Sequence, residues 1–208
     1  MLGRDRDVTF RKLGRQDTAR YAAHLRRLGA ADRRARFMGE LGARAIGRHI
    51  ARLDWDRAVL LGCFVDGVLR GSAELHPGPD GVGEAAFAVE ARFQGHGLGT
   101  ELVRRLLVIA RNRAMQEVFL ICLAGNARIR RIVTRLAGSV SVDGSEATAA
   151  IELLPANPAT HAAELLDDGE ALHRLLRTAG RTVLEAVSRA SQWGRGWKPS
   201  FHAGTAAC

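Results

Sequence analysis

The sequence predicts a mixed α/β fold: a central, mostly antiparallel sheet of about seven strands flanked by helices, with a helical extension at the C-terminus. Three observations point there. Asp66-Gly67 and Asp143-Gly144 each separate two runs of strand-forming residues, the pattern of a tight hairpin. An apolar run ending Phe87-Ala88-Val89 meets an amphipathic stretch through the turn Gln94-Gly95-His96-Gly97-Leu98-Gly99-Thr100. Strands and helices do not alternate strictly, which argues against a regular parallel repeat.

Val8 to Arg11 reads as a short strand. Asp17 is the expected N-cap of a helix through TARYAAHLRRLG, with Tyr21, Leu25 and Leu28 on one face. A second helix follows in LGARAIGRHIARL, with Leu41, Ile46, Ile50 and Leu53 inward. Val59–Val65 and Val68–His76 form the first hairpin, and HPGPDGVG is a loop. Glu84 to Val89 is the next strand, and a helix runs from about Gly97 to Asn112. EVFLICLA is a buried strand, and Asn126 caps a basic helix with Ile129, Ile132, Val133 and Leu136 inward. SVSV and ATAAIELL make the second hairpin.

The division expected from this order is residues 1–154 as the main domain and 155–208 as linker, amphipathic helix and flexible tail. PANPAT reads as the linker, with the helix restarting at Asp167 or Asp168. Leu165, Leu172, Leu176, Ala179, Val183 and Val187 form an apolar stripe that suits packing on the domain or a homodimer contact.

A hydrophobic content of 47% with 25% charge is that of a globular chain able to bury a core. No membrane span or apolar signal core is evident, so a cytoplasmic location is expected. Cys63, Cys122 and Cys208 are odd in number and widely spaced, which argues against a disulfide framework or a metal site. The net charge of +9 raises nucleic acid as a partner. Aromatics make up only 5%, however, and no basic run is interleaved with stacking rings, so that role is disfavoured. Lys12 and Lys198 are the only lysines, and an arginine-rich surface also suits phosphorylated ligands and acidic proteins.

The glycine turn admits three readings. A dinucleotide fingerprint opens a fold near its first strand and precedes a strand ending in an acid; here the turn lies mid-chain and Glu117 begins its strand. A triphosphate loop ends in Gly-Lys-Ser/Thr, which is absent. The third reading is a helix N-terminus whose bare amides hold a diphosphate, approached closely because glycine has no side chain.

Gln94-Gly95-His96-Gly97-Leu98-Gly99 resembles the Gln/Arg-x-x-Gly-x-Gly/Ala acetyl-CoA motif of the GNAT superfamily of N-acetyltransferases. The resemblance covers Val8 to Leu154, element order included, and LRRLGAADRRARFMG is similar to the first helical region of bacterial protein lysine acetyltransferase domains. It implies a sheet splayed between its fourth and fifth strands, acetyl-CoA as cosubstrate, no metal, and an amine acceptor, either a protein lysine or a small molecule. It places the CoA site at Phe87, Val89, Gln94, Gly95, His96, Gly97, Leu98, Gly99, Thr100 and Asn126. A backbone N–H at Val89 or a neighbour is implied as oxyanion donor, with phosphate contacts from among Arg104, Arg105, Arg128, Arg130 and Arg131.

Direct transfer needs an amine without its extra proton, and a lysine-like amine has a pKa of roughly 10.4, so a base must assist. Glu84 is the first candidate and Glu74 the second; His76 and His96 could also titrate. The family often protonates the leaving thiolate with a tyrosine on the helix after the fifth strand. Val133 stands near that position and Tyr21 is the only tyrosine, so the identity of the acid is open. That departure gives the alternative, an acyl-CoA-binding module without catalysis. Cys122 as an acyl carrier is disfavoured against a buried core thiol.

Overall fold

The computed structural model of the protein describes residues 6–39 and 42–169. The expected stripe from Leu172 onward, the tail and Leu41 lie outside the described residues. Seven strands form one sheet in the order β1-β2-β3-β4-β5-β7-β6. They are β1 (Val8–Leu13), β2 (Val59–Val65), β3 (Val68–Pro77), β4 (Val82–Val89), β5 (Glu117–Leu123), β6 (Ser139–Asp143) and β7 (Glu146–Glu152). All neighbours are antiparallel except β4 and β5. The helices are α1 (Thr18–Arg27), α2 (Ala30–Phe37), α3 (Ala43–Ala51), α4 (Leu98–Asn112), α5 (Ala127–Arg135) and α6 over residues 158–169.

Alternation along the strands builds a core on each face of the sheet. On β2, Val59, Leu61, Cys63 and Val65 join Leu102 and Leu106 of α4 in one core. Leu60 and Phe64 join Tyr21, Leu25, Ile46 and Ile50 of α1 and α3 in the other. The β2–β3 turn has Asp66 at φ 52° and Gly67 at φ 75°, the two left-handed residues that a two-residue hairpin demands.

β4 and β5 pair only at Val82 with Glu117, Gly83 with Val118 and Glu84 with Phe119. Beyond Glu84 the two strands diverge, β4 continuing to Val89 and β5 to Leu123. This V-shaped opening positions the site, and α2 packs against both of its strands.

Three local expectations change. Two helices were expected between β1 and β2, and there are three. Leu28, with an extended backbone (φ −60°, ψ 137°), ends α1, and α2 starts after Gly29. No residue of α2 is fully buried, so it carries no apolar stripe for periodicity to reveal. Asp17 makes no side-chain capping bond to α1. It is buried instead, taking both forks of Arg11 at 2.7 Å, Arg20 at 3.0 Å and the Gly14 amide at 3.2 Å. Finally, the C-terminal helix begins at residue 158 rather than at Asp167 or Asp168. Asn157 caps it, its Oδ1 accepting from the Thr160 amide at 3.0 Å, and Pro158 takes the first-turn position where its missing N–H costs nothing. Glu164 and Asp168 bind Lys12 at 2.6 and 2.8 Å, joining this helix to β1.

Candidate active site

The divergence of β4 and β5 opens a cleft of about 620 Å³. Phe87, Ala88 and Val89 supply it from β4, α2 forms one wall and α5 the other. The glycine turn lies at one end. Of the ten CoA-site positions the resemblance implies, all line this cleft except His96 and Leu98; Arg128 and Arg131 line it, whereas Arg104, Arg105, Arg130 and the candidate bases Glu84 and Glu74 do not. Leu98 points into the core, 6% exposed, because the first turn of α4 must bury its apolar face. His96 is half-buried, with Nδ1 enclosed and without a partner among the described residues.

The three glycines serve two different needs. Gly95 (φ 78°) and Gly97 (φ 83°) are left-handed, a conformation that costs other residues roughly 1–2 kcal/mol. No atom lies within 4 Å of where a Cβ would project from either. Gly99 is a packing glycine: a Cβ there would sit 3.3 Å from Phe87 Cε2 and 3.4 Å from Ile132 Cδ1. The turn thus delivers the N-terminus of α4 to the cleft, where the first amides of a helix have no intrahelical acceptor. Those amides and the helix dipole favour an anion.

Gln94 fixes the mouth. Its Nε2 donates to Val89 O at 2.8 Å and to Asp32 Oδ1 on α2 at 2.9 Å, and its Oε1 accepts from Arg128 on α5. Asn126 accepts from the Ile129 amide at 3.3 Å, capping α5. Arg128, Arg131 and Arg135 stand on the cleft side of α5, so a positive wall lines the cleft that the first turn of α4 also borders. Arg104 and Arg105 are committed elsewhere, both to Glu101, and Arg105 also to Asp167. Arg135 is a position that sequence reasoning missed, although it repeats Arg128 and Arg131 along one helix face.

On the α1–α3 side lies a second cluster, centred on Glu74. Tyr21 OH and Arg36 Nη2 donate to Glu74 Oε1, and His49 Nε2 lies 3.1 Å from the same oxygen. His76 Nε2 lies 2.8 Å from Oε2. Burial pushes the Glu74 carboxyl up, but the Arg36 charge and the bonds from His49 and His76 outweigh it and hold the group well below the carboxylate range. An ionised carboxylate only accepts, so both imidazoles must carry their proton on Nε2 when neutral, leaving Nδ1 as a lone-pair site. Burial and the Glu74 charge drive the Tyr21 hydroxyl well above its usual range, so it serves as a donor.

Glu84, the first candidate base, is exposed and is the last β4 residue to pair with β5, at the apex of the V. It pairs with His76 across β3 and β4, and directly paired residues of antiparallel strands lie on the same face. Glu74 lies two residues from His76 on that face, so one row carries Glu74, His76 and Glu84. Val133, near the position of the missing tyrosine, is 1% exposed in the core. Cys122 is fully buried, and burial raises its thiol pKa against the pull of Arg130. The described residues contain no cluster suited to a metal ion and no helix long and apolar enough to cross a membrane.

A sequence model described as the acetyltransferase (GNAT) family matches residues 26–138. The chain is 27% identical over 156 residues to the acetyltransferase PA5475 of Pseudomonas aeruginosa, an alignment covering 72% of this chain and 84% of that protein. Its fold is similar to the GNAT domain of S. lividans PAT (TM-score 0.61, 18% identity, 69% of this chain and 89% of that one). It is also similar to yncA from Salmonella typhimurium, a putative acetyltransferase solved with acetyl-CoA (TM-score 0.57, 20% identity, 73% of this chain and 96% of that one).

Proposed function

Because the chain belongs to the GNAT family of acetyltransferases, we propose that it moves an acetyl group from acetyl-CoA to a primary amine, with a protein lysine side chain as the favoured acceptor. One observation carries the reading: the left-handed glycine turn opens the N-terminus of α4 onto a cleft formed where β4 leaves β5. In this reading the amides from Gly95 to Thr100 bind the diphosphate, Arg128, Arg131 and Arg135 balance its charge, and Phe87 to Val89 bind the pantetheine arm as an added strand would. Acetyl-CoA supplies the acetyl group as a thioester, the acceptor nitrogen bonding the carbonyl carbon while sulfur leaves with the C–S electron pair.

The chain's own task is to take the amine's proton. Glu84 stands at the apex of the V as the base, and His76 beside it offers Nδ1 because Glu74 holds its Nε2–H. Glu74 itself, with four donors on two oxygens and a depressed pKa, acts as the anchor of this row. With Val133 in place of a helix tyrosine, water protonates the leaving thiolate; at a pKa of about 8.5 it is a fair leaving group unaided.

The test is thiol release from acetyl-CoA across a panel of amines and lysine peptides, with Glu84→Gln alongside. Acceptor-dependent release that falls about 100-fold in the variant is expected for loss of a general base. CoA binding without release on any acceptor would leave a binding module instead.

A further inference from the structure

We propose that Arg36 is a catalytic residue whose Nε–H donates a hydrogen bond to the thioester carbonyl oxygen of the bound acyl-CoA, adding a side-chain donor to the oxyanion site. The inference rests on the acetyl-CoA reading above.

Arg36 belongs to both regions of the site at once. It lines the cleft from the last turn of α2, and its Nη2 is paired with Glu74. Its side chain is only 8% exposed, yet Nε is enclosed and has no partner among the described residues. A buried donor left unbonded is unfavourable, and native structures rarely keep one without a use. The guanidinium is also held in place. Glu74 fixes one end while being fixed itself by Tyr21, His49 and His76, and the Phe37 ring lies 4.8 Å from the guanidinium carbon.

The geometry of the unmet donor selects the ligand group. A carboxylate or phosphate is best met by two parallel N–H groups of a guanidinium whose charge is unspent. The Nη2 end of Arg36 and its charge already face Glu74, and the enclosed donor without a partner among the described residues is Nε–H. One directional donor fits one carbonyl oxygen. Its place along the cleft identifies which carbonyl. Asp32, one helical turn before Arg36, bonds Gln94 beside the glycine turn, so Arg36 lies further along α2, away from the anion end. Its partner Glu74 pairs with Ala86 on β4, between Phe87 and the apex at Glu84. That is the reacting end.

During transfer the new N–C bond forms as the carbonyl π pair moves onto oxygen. The pair returns as the C–S bond breaks and sulfur leaves with that bond's electrons, while the amine proton goes to the base. Arg36 keeps its own proton throughout and bonds the oxygen most strongly when it carries negative charge.

Binding is measured by calorimetry for CoA, acetyl-CoA and S-ethyl-CoA, a thioether lacking the carbonyl oxygen. The proteins are wild type, Arg36→Lys, which keeps an ion pair to Glu74, and the double variant Arg36→Met/Glu74→Gln, which removes both buried charges together. Thermal melts establish that each is folded. Wild type is expected to bind acetyl-CoA about tenfold more tightly than S-ethyl-CoA, the worth of one charge-assisted hydrogen bond. Both variants should lose that preference, retain wild-type affinity for CoA, and lose about 100-fold in kcat, as for removal of one oxyanion donor. A merely structural role would not separate acetyl-CoA from its thioether. Three results would overturn the proposal: no preference in wild type, an equal loss of CoA and acetyl-CoA affinity in the variants, or unchanged kcat. A wild type that binds none of the three nucleotides overturns the acetyl-CoA reading first, and this inference with it.

Discussion

The glycine turn and the Glu74 cluster, joined to the cleft through Arg36, are built in opposite ways. The glycine turn is local: residues 94–100 are consecutive, their backbone amides form the proposed anion site, and its key feature is two left-handed glycines. The Glu74 cluster is long-range and made of side chains. Tyr21 of α1, Arg36 of α2, His49 of α3 and His76 of β3 converge on one buried carboxylate, from as far as 53 residues away in the chain. A backbone site depends on the allowed dihedrals of a few positions. A buried charge cluster depends on every partner being present, because each desolvated group relies on the others.

The largest effect expected from that contrast is on stability. Glu74→Gln removes the counter-charge of Arg36 and leaves a buried cation facing an amide, and breaking one half of such a pair costs on the order of 3–5 kcal/mol. Denaturant unfolding should show a loss of that size, while affinity for CoA in the folded fraction stays within about threefold, since the glycine turn shares no hydrogen bond with Glu74. A large loss of CoA affinity would show that the two regions are coupled rather than merely adjacent.

pH sharpens the same comparison. Burial raises the Asp17 carboxyl, but Arg11, the Gly14 amide and Arg20 outweigh it and bring it down to about 2. A depressed folded-state pKa contributes stability that is fully present above the unfolded value near 3.8 and is lost as pH falls towards about 2. The amount is about 2 kcal/mol at neutral pH. Glu74, also depressed, acts in the same direction. Asp17→Asn should therefore flatten acid unfolding between about pH 4 and 2, measured by circular dichroism.

Gly97→Ala probes the local region. Holding alanine at φ 83° costs roughly 1–2 kcal/mol, and nothing stands within 4 Å of the new Cβ to obstruct it sterically. The turn can relax out of the left-handed region at little cost to the core, but its amides then leave the anion. CoA affinity should drop about tenfold while the melting temperature changes by only a few degrees. Equal losses in both would mean that the turn stabilises the fold as much as it binds.

The same division decided what could be read from the sequence. The sheet's hairpins, the Gln94–Thr100 turn and the Asn126 cap were legible because each is written in neighbouring residues with a fixed conformational need. The α6 start is equally local, in Asn157, Pro158 and Thr160, whereas Asp167 and Asp168, which also have the chemistry of caps, bind Arg105 and Lys12 instead. α2 could be read only through the resemblance of LRRLGAADRRARFMG, because a helix whose buried side chain is the charged Arg36 shows no apolar stripe, and its Ala31 and Ala35 are small where the cleft passes. Glu74 and Glu84 could be picked as acids on neighbouring strands. That His76 pairs with one in register and bonds the other is a fact of strand alignment, and no periodicity in the chain states it.

The smallest effect tests whether the nucleophile is the acceptor amine alone. Cys122 is on β5, at the edge of the V, yet it is fully buried and its thiol is pushed up by desolvation, so little thiolate forms at neutral pH. Cys63, on β2, is pushed up to about 12 for the same reason. Cys122→Ser should leave kcat within about twofold and stability within about 1 kcal/mol. Mass spectrometry of wild type mixed with acetyl-CoA and no amine should find no acetyl group on Cys122. A stable acetyl adduct there, lost together with turnover in the serine variant, would mean that the chemistry passes through the protein. The Glu74 row would then serve a thiol rather than an amine.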